Sequence, residues 1–184
     1  MRVIAGTAKG TKLAAPTTGV RPTSDRVKEA IFSILGPMEG LEVIDGYAGS
    51  GSLGIEALSR GAESCVFIER NKRSREQIVA NLVRAHLSKQ ATIVPKDVVR
   101  YFMSTSSGKA DIILLDPPYD APSVEINDTM RACLNVAKVG ARIILECSKR
   151  REIDAGKGLV QLDERIYGDT KVLILGSKEK MASD

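Results

Sequence analysis

The segment Asp116-Pro117-Pro118-Tyr119 follows an apolar run and combines residue types that could hold a nucleobase. The Asp116 carboxylate only accepts hydrogen bonds, so it suits the N–H groups of an exocyclic amine. Pro118 has no N–H and interrupts strand pairing, which leaves the carbonyl of Pro117 as a second acceptor. Tyr119 offers a face on which a base can stack. The segment therefore predicts group transfer to a base amine, with a simple strand-ending turn as the alternative.

Acidic residues end or closely follow four successive apolar segments, and they are Asp45, Glu69, Asp97 and Asp116. In an open parallel sheet the carboxyl ends of the strands share one edge, and ligands bind there. Any one of these acids alone would be typical of a helix cap or a solvated loop. Because there are four in succession, we expect a carboxylate-lined ligand site at that edge.

A glycine-rich loop follows the first of these acids. Gly49, Gly51 and Gly54 form the pattern G-x-G-x-x-G between a predicted strand and a predicted helix. Glycines allow a tight turn and let a ligand approach the backbone closely. Glu69 lies twenty residues after Gly49, where a carboxylate can accept both hydroxyls of a ribose. The combination predicts a nucleoside cofactor, either a dinucleotide or S-adenosylmethionine.

Methyl transfer fits the chain better than hydride transfer does. A length of 184 residues fits one domain and leaves little room for a separate substrate domain. The single His86 lies near a predicted helix end, and the three cysteines are too far apart for a metal-ligand pattern, so no metal site is predicted. A methyltransferase needs only the sheet, the cofactor and an oriented nucleophile.

The elements that would position these residues alternate along the chain. The predicted strands are 42–45, 64–69, 91–94, 111–116 and 142–146, and the predicted helices between them are 52–59, 72–86, 98–105 and 127–137. This alternation predicts an α/β fold with a parallel sheet. Two further predicted strands, 158–166 and 171–177, are separated by a hairpin-length loop, so an antiparallel hairpin is expected to close the sheet.

The first thirty residues carry the whole formal net charge of +4, with six basic and two acidic side chains, while the remainder holds 21 of each. Segments 2–5 and 11–14 are predicted strands of a small hairpin, and an amphipathic helix is expected to begin after Thr23 or Ser24 and to end at Gly36. A basic arm on a neutral body predicts a polyanionic partner, with a merely solvated tail as the alternative.

The compartment is predicted from absences in the sequence. No apolar run approaches the roughly 18 residues that a membrane span requires. The N-terminal segment MRVIAGTAKGTKL also lacks the apolar stretch of a signal peptide. We therefore expect a cytoplasmic protein with no membrane partner.

Two groups of motifs resemble those of a known family. The glycine loop AGSGSLGIEALSRGA together with DPPY resembles class I methyltransferases that modify exocyclic amines of nucleic-acid bases. The front segments RVIAGTAKGTKL and GVRPTSDRVKEAIFSIL resemble the RsmD family of bacterial 16S rRNA (guanine-N2)-methyltransferases. The similarity runs from Arg2 to about Leu175. It implies a three-layer Rossmann-like methyltransferase sandwich with a seven-stranded sheet and a small N-terminal hairpin and helix extension.

The resemblance also implies the ligands. The methyl donor would be S-adenosylmethionine, and the acceptor would be N2 of one guanine at the position in 16S rRNA that the family modifies, in free rRNA or in the 30S ribosomal particle. We expect a monomer. Residues 1–22 would form the basic β-hairpin arm that contacts RNA, and residues 23–184 would form the methyltransferase domain.

Residue roles carried over by the resemblance fall into three groups. The first group would bind the cofactor. Its methionine part would face Asp45 and the loop residues Ala48, Gly49, Ser50 and Gly51. Glu69 would bind the ribose, and Asp97 with the Val98 backbone would bind the adenine. Tyr47 and Arg70 complete this expected cofactor site. In the second, Asp116, Pro117, Pro118 and Tyr119 would hold the guanine. In the third, the RNA contacts would be Arg2, Lys9, Lys12, Arg21, Thr23 and Arg26.

The pair Gly46-Tyr47 departs from the family pattern, which usually has an apolar residue and Phe before AGSG. Tyr47 can replace the packing of the Phe and adds a hydroxyl. Gly46 is expected to loosen the strand end, and cofactor affinity or loop order is expected to differ as a result.

Two other functions fit the same motifs. Similar Asp-Pro-Pro-aromatic sites methylate amino groups of DNA adenine or cytosine, although this chain has little room for a sequence-reading domain. A non-catalytic RNA-binding protein of methyltransferase fold is the other alternative. Lys149, Arg150 and Arg151 form a basic cluster near the same edge, and either RNA contact or a solvated loop is expected for it.

Overall fold

A seven-stranded sheet forms the centre of the structure. The structure is a computed structural model, and it describes residues 1–14, 24–105 and 108–178. Its strands are β1 (Glu42–Gly46), β2 (Ser64–Ile68), β3 (Ala91–Val94), β4 (Ala110–Leu115), β5 (Ala137–Ser148), β6 (Leu159–Tyr167) and β7 (Thr170–Ser177). The spatial order is β3-β2-β1-β4-β5-β7-β6. The first five strands are parallel, and β7 lies antiparallel between β5 and β6. The predicted parallel sheet closed by an antiparallel hairpin is confirmed.

Helices cover both faces of the sheet, so the fold has three layers. They are α1 (Asp25–Leu35), α2 (Ser52–Ser59), α3 (Lys72–Ala85), α4 (Val98–Ser104) and α5 (Ser123–Ala132), with 3-10 turns at Ser88–Gln90 and Cys133–Asn135. Apolar residues of α1, α2 and α3 pack on one face and those of α4 and α5 on the other. Across the part of the chain that the structure describes, no helix has the length and apolar content needed to cross a membrane.

The helix α1 begins and ends where its capping residues predict. The Ser24 side chain accepts a hydrogen bond from Val27 N at 3.2 Å, which satisfies one of the free amides of the first turn. Gly36 ends the helix with φ of 72°, a backbone conformation that glycine adopts without steric cost. The face between these ends, including Ile31 and Leu35, is buried against the sheet.

The predicted helix 127–137 is wrong in its bounds. The observed α5 begins four residues earlier, at Ser123, and ends at Ala132. The reason lies in the strand that follows, because β5 begins at Ala137 and pairs there with Ala110 before the register shifts. The pairing with β4 extends β5 toward its N-terminus, and the helix has to end before it.

The predicted hairpin of the N-terminal arm, residues 1–14 of the described chain, is present but shorter than expected: Val3 N donates to the Thr11 carbonyl at 3.0 Å and Leu13 N to the Met1 carbonyl at 3.1 Å. A single antiparallel bridge joins Arg2 and Lys12. The amides of Ile4 and Ala5 donate to the two carboxylate oxygens of Glu56 in α2, at 2.8 and 3.1 Å. Because a side chain takes these donors, the arm docks on the domain instead of extending a ladder of its own.

Glu56 belongs to a buried charged cluster beneath the arm. The Lys28 ammonium lies 3.7 Å from the Glu56 carboxylate, and both side chains are fully buried. Lys28 also donates to the carbonyl of Arg2 at 2.5 Å, and Arg60 donates to Glu56 at 2.7 Å. Burial lowers the pKa of Lys28, while the neighbouring carboxylates of Glu56 and Asp25 oppose that change. The cluster ties α1 and α2 to the first residues of the chain.

The arm is held at two further points. Gly6 has φ of 82°, and a Cβ there would lie 1.7 Å from the Ser59 carbonyl oxygen, so only glycine fits this approach. At the end of the described arm, the buried side chain of Asn81 accepts from Ala14 N at 2.9 Å and donates to the Ser50 carbonyl at 2.9 Å. Asn81 thereby connects the arm to the glycine loop.

Candidate active site

The strand order reverses between β1 and β4, and in α/β sheets a ligand crevice forms at such a point. Gly46 at the end of β1 pairs with Ile68 and with Leu115, so pairing continues through it. A Cβ on Gly46 would lie 2.8 Å from the Leu115 side chain. The missing side chain thus makes room for Leu115, and the end of β1 is paired on both sides.

A cleft of about 270 Å³ opens at this edge of the sheet, and we call it the acid-lined cleft. Eight of the predicted site residues line it together: Tyr47, Gly49, Glu69, Arg70, Asp97, Val98, Asp116 and Pro118. They come from the ends of β1, β2 and β4 and from the loop after β3. Three of the four predicted acids therefore meet at one cavity, as the alternation of strands and helices implies.

The other predicted cofactor residues, Asp45, Ala48, Ser50 and Gly51, are not among the residues that line the cleft. They are buried, and Ala48, Ser50 and Gly51 belong to the glycine loop itself. The Ala48 amide donates to the Ile68 carbonyl at 3.1 Å, and Gly51, with φ of 81°, donates to the Ala48 carbonyl at 2.7 Å. These contacts bend the loop so that Gly49 reaches the cleft.

Asp45 is only 2% exposed, and its carboxylate accepts a hydrogen bond from Gly54 N at 2.8 Å. Burial raises the pKa of Asp45 to about 7; the Gly54 hydrogen bond lowers it, and the nearby charges of Asp116 and Glu69 raise it further. Gly54 itself leaves no space for a side chain, since a Cβ there would lie 2.4 Å from the Phe67 ring. Asp45 therefore joins the end of β1 to the first turn of α2.

The raised pKa of Asp45 predicts a specific pH dependence of stability. In the unfolded chain this carboxyl ionises near its usual pKa of 3.8, below the folded value of about 7. Its contribution to the free energy of unfolding is therefore full below pH 4 and is lost as the pH rises to 7. Urea unfolding should show the stability of Asp45→Asn, relative to the unmodified protein, rising between pH 5 and pH 8 by up to about 3 kcal/mol. In the exposed control Asp120→Asn, the free energy of unfolding should differ from that of the unmodified protein by the same amount at both pH values. The same result for Asp45→Asn would contradict the prediction.

Glu69 fixes the glycine loop and faces the cleft at the same time. One carboxylate oxygen accepts from Gly49 N at 3.0 Å and the other from Asn71 N at 2.7 Å. Each oxygen keeps a further lone pair for a ligand. The carboxylate is therefore held in one orientation and can still accept two neighbouring hydroxyls.

Tyr47 has a backbone conformation that is rare for residues other than glycine, with φ of 63°. Its hydroxyl pairs with the Thr129 hydroxyl of α5 at 2.7 Å. Burial raises the pKa of Tyr47 to about 12, so the phenol is neutral at physiological pH. The added hydroxyl thus joins the end of β1 to the helix that follows the DPPY segment.

The far end of the cleft combines charge with an apolar surface. Asp97 caps α4 by accepting from Arg100 N at 3.1 Å, and Val98 is buried beside it. The guanidinium of Arg70, 73% exposed, lies 4.0 Å from the Asp97 carboxylate. An apolar contact next to a carboxylate acceptor suits a flat aromatic ring that carries an amine.

The DPPY segment lies between the acid-lined cleft and a second cavity of about 290 Å³. Asp116 and Pro118 line the cleft, whereas Tyr119 lines the second cavity and Pro117 is buried. The Tyr119 hydroxyl pairs with the Thr170 hydroxyl at 2.6 Å, which fixes the ring while 38% of the residue stays exposed. A group held in one cavity and a base held in the other would meet at this segment.

Arg151 positions the DPPY segment, a role that the sequence did not indicate. Its guanidinium donates to the carbonyls of Tyr119 at 2.8 Å and Ala121 at 2.6 Å. The Ala121 amide in turn donates to the Pro118 carbonyl at 2.9 Å. The sequence predicted either RNA contact or a solvated loop for the basic cluster 149–151. The Arg151 side chain is hydrogen-bonded to backbone carbonyls of the segment after β4.

Other residues at the two cavities were missed by the sequence analysis. In the acid-lined cleft they are Ile68, Asn71, Ser74, Lys96 and Glu125, and in the second cavity they include Ser24, Glu146, Tyr167 and Thr170. Glu146 could have been found, because it ends the predicted strand 142–146 as the other acids end or follow theirs. The remainder come from the end of β2, from α3 and α5, from loops and from the C-terminal hairpin.

The fold and this acid-rich edge define a protein of the Rossmann-like methyltransferase class. The Escherichia coli protein yhhF has the same fold, with a TM-score of 0.83, 27% identity, and coverage of 97% of this chain and 98% of that one. The chain belongs to the family described as conserved hypothetical protein 95, the RsmD family, whose model matches residues 1–176. The resemblance seen in the sequence is thus confirmed.

Two relatives show how far the similarity extends. YlbH of Bacillus subtilis is 36% identical over 179 residues, which cover 95% of this chain and 97% of the relative. Ribosomal RNA small subunit methyltransferase D of Haemophilus influenzae is 34% identical over 172 residues, which cover 91% of this chain and 89% of the relative. The family model, which matches residues 1–176, spans both cavities and the described arm.

Proposed function

We propose that the protein transfers a methyl group from S-adenosylmethionine to the exocyclic N2 of one guanine in 16S rRNA, at the position that its family modifies. The observation that carries this proposal is the DPPY segment between two cavities, one lined by acids and the other by aromatic and polar groups. The relative from Haemophilus influenzae, named as a small-subunit rRNA methyltransferase, supports the choice of rRNA.

The residues around the acid-lined cleft fit the proposed cofactor. Glu69 would hold the ribose hydroxyls, and Asp97 with the Val98 backbone would hold the adenine, whose faces pack against Ile68 and Val98. The carboxylates of Glu69, Asp97 and Asp116, which line the cleft, suit the positive charge of a sulfonium. When bound, the cofactor supplies a methyl group on a good leaving group.

The chain's own residues then have to hold and orient the base. Asp116 accepts hydrogen bonds from the N2 amine, which directs the lone pair of that nitrogen toward the cleft. The same carboxylate lies where it can take the proton that the amine loses. Tyr119 stacks on the base, and Arg151 keeps the Tyr119 backbone in place. Alignment of the reacting atoms is the main contribution of such a site.

The arm supplies the surface that would contact RNA. Arg2, Lys9, Lys12 and Arg26 are all exposed, and phosphate contacts by such side chains dominate affinity for nucleic acids. Arg21 and Thr23, also predicted to bind RNA, lie outside the described residues. In this proposal residues 1–22 act as the RNA-contacting arm of a methyltransferase domain formed by residues 23–184. The protein works in the cytoplasm as a monomer on rRNA, free or in the 30S particle.

The proposed substrate is tested by offering three acceptors with labelled S-adenosylmethionine: 30S particles, naked 16S rRNA, and duplex DNA. We expect label in at least one of the two rRNA samples and none above background in DNA, because the proposed site takes an unpaired base. Mass spectrometry of the labelled rRNA should place the methyl on N2 of one guanine. Label in DNA alone would contradict the proposal and favour the DNA amino-methyltransferase.

A further inference from the structure

The second cavity contains a buried carboxylate that the proposed transfer step does not use. Glu146 lies in β5 and lines this cavity together with Tyr119 and Arg26. The residue is only 4% exposed. A carboxylate in the wall of a cavity can accept hydrogen bonds from the N–H groups of a ligand, so the position of Glu146 bears on what the cavity binds.

Glu146 lies next to Asp116 across two parallel strands. Leu115 of β4 pairs with Leu145 of β5, and each acid is the next residue of its strand or strand end. Neighbouring strands are about 4.8 Å apart. Side chains from adjacent positions on neighbouring strands can both reach the edge of a single base, so the two acids can accept hydrogen bonds from two N–H groups of that base.

Guanine has this arrangement of donors. Its N1–H and N2 amine lie side by side, whereas adenine has an acceptor nitrogen at N1. We propose that Glu146 selects guanine by accepting the N1–H of the base whose N2 amine is held at Asp116. This inference rests on the proposed function and adds the residue that determines base specificity. A base with an acceptor at N1 would place that nitrogen against the Glu146 carboxylate, which is also an acceptor. Binding of such a base is therefore disfavoured.

The remaining residues of the cavity agree with this assignment. Arg26, at the start of α1, carries the donors that guanine O6 and N7 accept. Tyr119 and Tyr167 add aromatic surface for a planar ring. The cavity therefore offers an acceptor for N1–H, donors for O6 and N7, and stacking faces, which together match guanine.

The test compares two rRNA substrates, made by ligation with either guanine or 2-aminopurine at the methylated position. Both bases carry the amine that receives the methyl, but 2-aminopurine has an acceptor at N1. The unmodified protein should prefer guanine by about 100-fold in kcat/KM. In Glu146→Gln the new amide can donate to N1 of 2-aminopurine, so this ratio should fall below about fivefold. Binding of S-adenosylmethionine, measured by calorimetry, should not change.

Three further variants complete the experiment. Glu146→Met fills a similar volume without an acceptor and should also lose the preference, whereas Glu146→Asp keeps a carboxylate and should retain it at lower turnover. Glu164→Gln is the matched control, because that glutamate is exposed on β6 and does not line the cavity. Thermal melting shows which variants fold.

The outcomes separate the two proposals. Methyl transfer with an unchanged preference for guanine in folded Glu146→Gln and Glu146→Met would overturn the role of Glu146 and leave the proposed function intact. If the unmodified protein transferred no methyl to rRNA, the proposed function would fail and the specificity role with it.

Discussion

Asp116→Ala is expected to lower methyl transfer to rRNA about 1,000-fold, with S-adenosylmethionine affinity changed by less than about threefold. The variant removes the carboxylate proposed to orient the N2 amine but leaves Glu69 and Asp97 in the acid-lined cleft. Since orientation of the amine matters only in the transfer step, kcat should fall while cofactor binding survives. Single-turnover transfer of labelled methyl and calorimetric titration of the cofactor measure the two effects separately.

Two companion variants sharpen this result. Asp120→Ala removes an exposed carboxylate four residues further on and should leave turnover unchanged. Asp116→Asn keeps one acceptor oxygen and loses the charge, so its rate should lie between those of Asp116→Ala and the unmodified protein. Full turnover in Asp116→Ala would refute the proposed role, and loss of cofactor binding would assign Asp116 to the cofactor instead.

The largest effect on stability is expected from Glu56→Ala. This change leaves the fully buried Lys28 without its closest buried carboxylate and frees the amides of Ile4 and Ala5. Breaking a buried ion pair by removing one partner typically costs about 3–5 kcal/mol. Urea unfolding should therefore show a decrease of that size, and hydrogen exchange at Ile4 and Ala5 should become fast.

A double variant separates the charge from the docking of the arm. Lys28→Met with Glu56→Leu removes both charges and should recover part of the lost stability. The amides of Ile4 and Ala5 should nevertheless still exchange fast, because their acceptor is gone. Glu63→Ala removes an exposed glutamate just after α2 and is the control. A Glu56→Ala variant as stable as this control would contradict the importance of the buried cluster.

The regular elements were predictable because their signals are local. The helix α2 and the strand β3 have the predicted bounds, 52–59 and 91–94, since a glycine loop or a polar turn stands at their ends. Alternation of these elements was enough to bring Glu69, Asp97 and Asp116 to one cleft. Such patterns lie within one element and its flanking residues, which the sequence shows directly.

What could not be predicted depends on contacts between distant residues. The strands of the arm are reduced to one bridge because Glu56, more than fifty residues away, takes their donors. Arg151 reaches back thirty-two residues to the Tyr119 carbonyl, and nothing in the local pattern of a basic loop indicates such a contact. Asp45 is turned to Gly54 N and not into the cleft for a similar reason: loop geometry decides where a side chain points.

The docking of the arm also has a consequence for the order in which the molecule is completed. The arm is synthesised first. However, Ile4 donates to Glu56, which lies 52 positions later in the chain, and Ala14 donates to Asn81, which lies 67 positions later. Contacts of long sequence separation form late, because the intervening chain must be present and its loop closed. During translation we therefore expect the basic arm to stay undocked until α2 and α3 have left the ribosome. Its docking requires that the first half of the domain has folded.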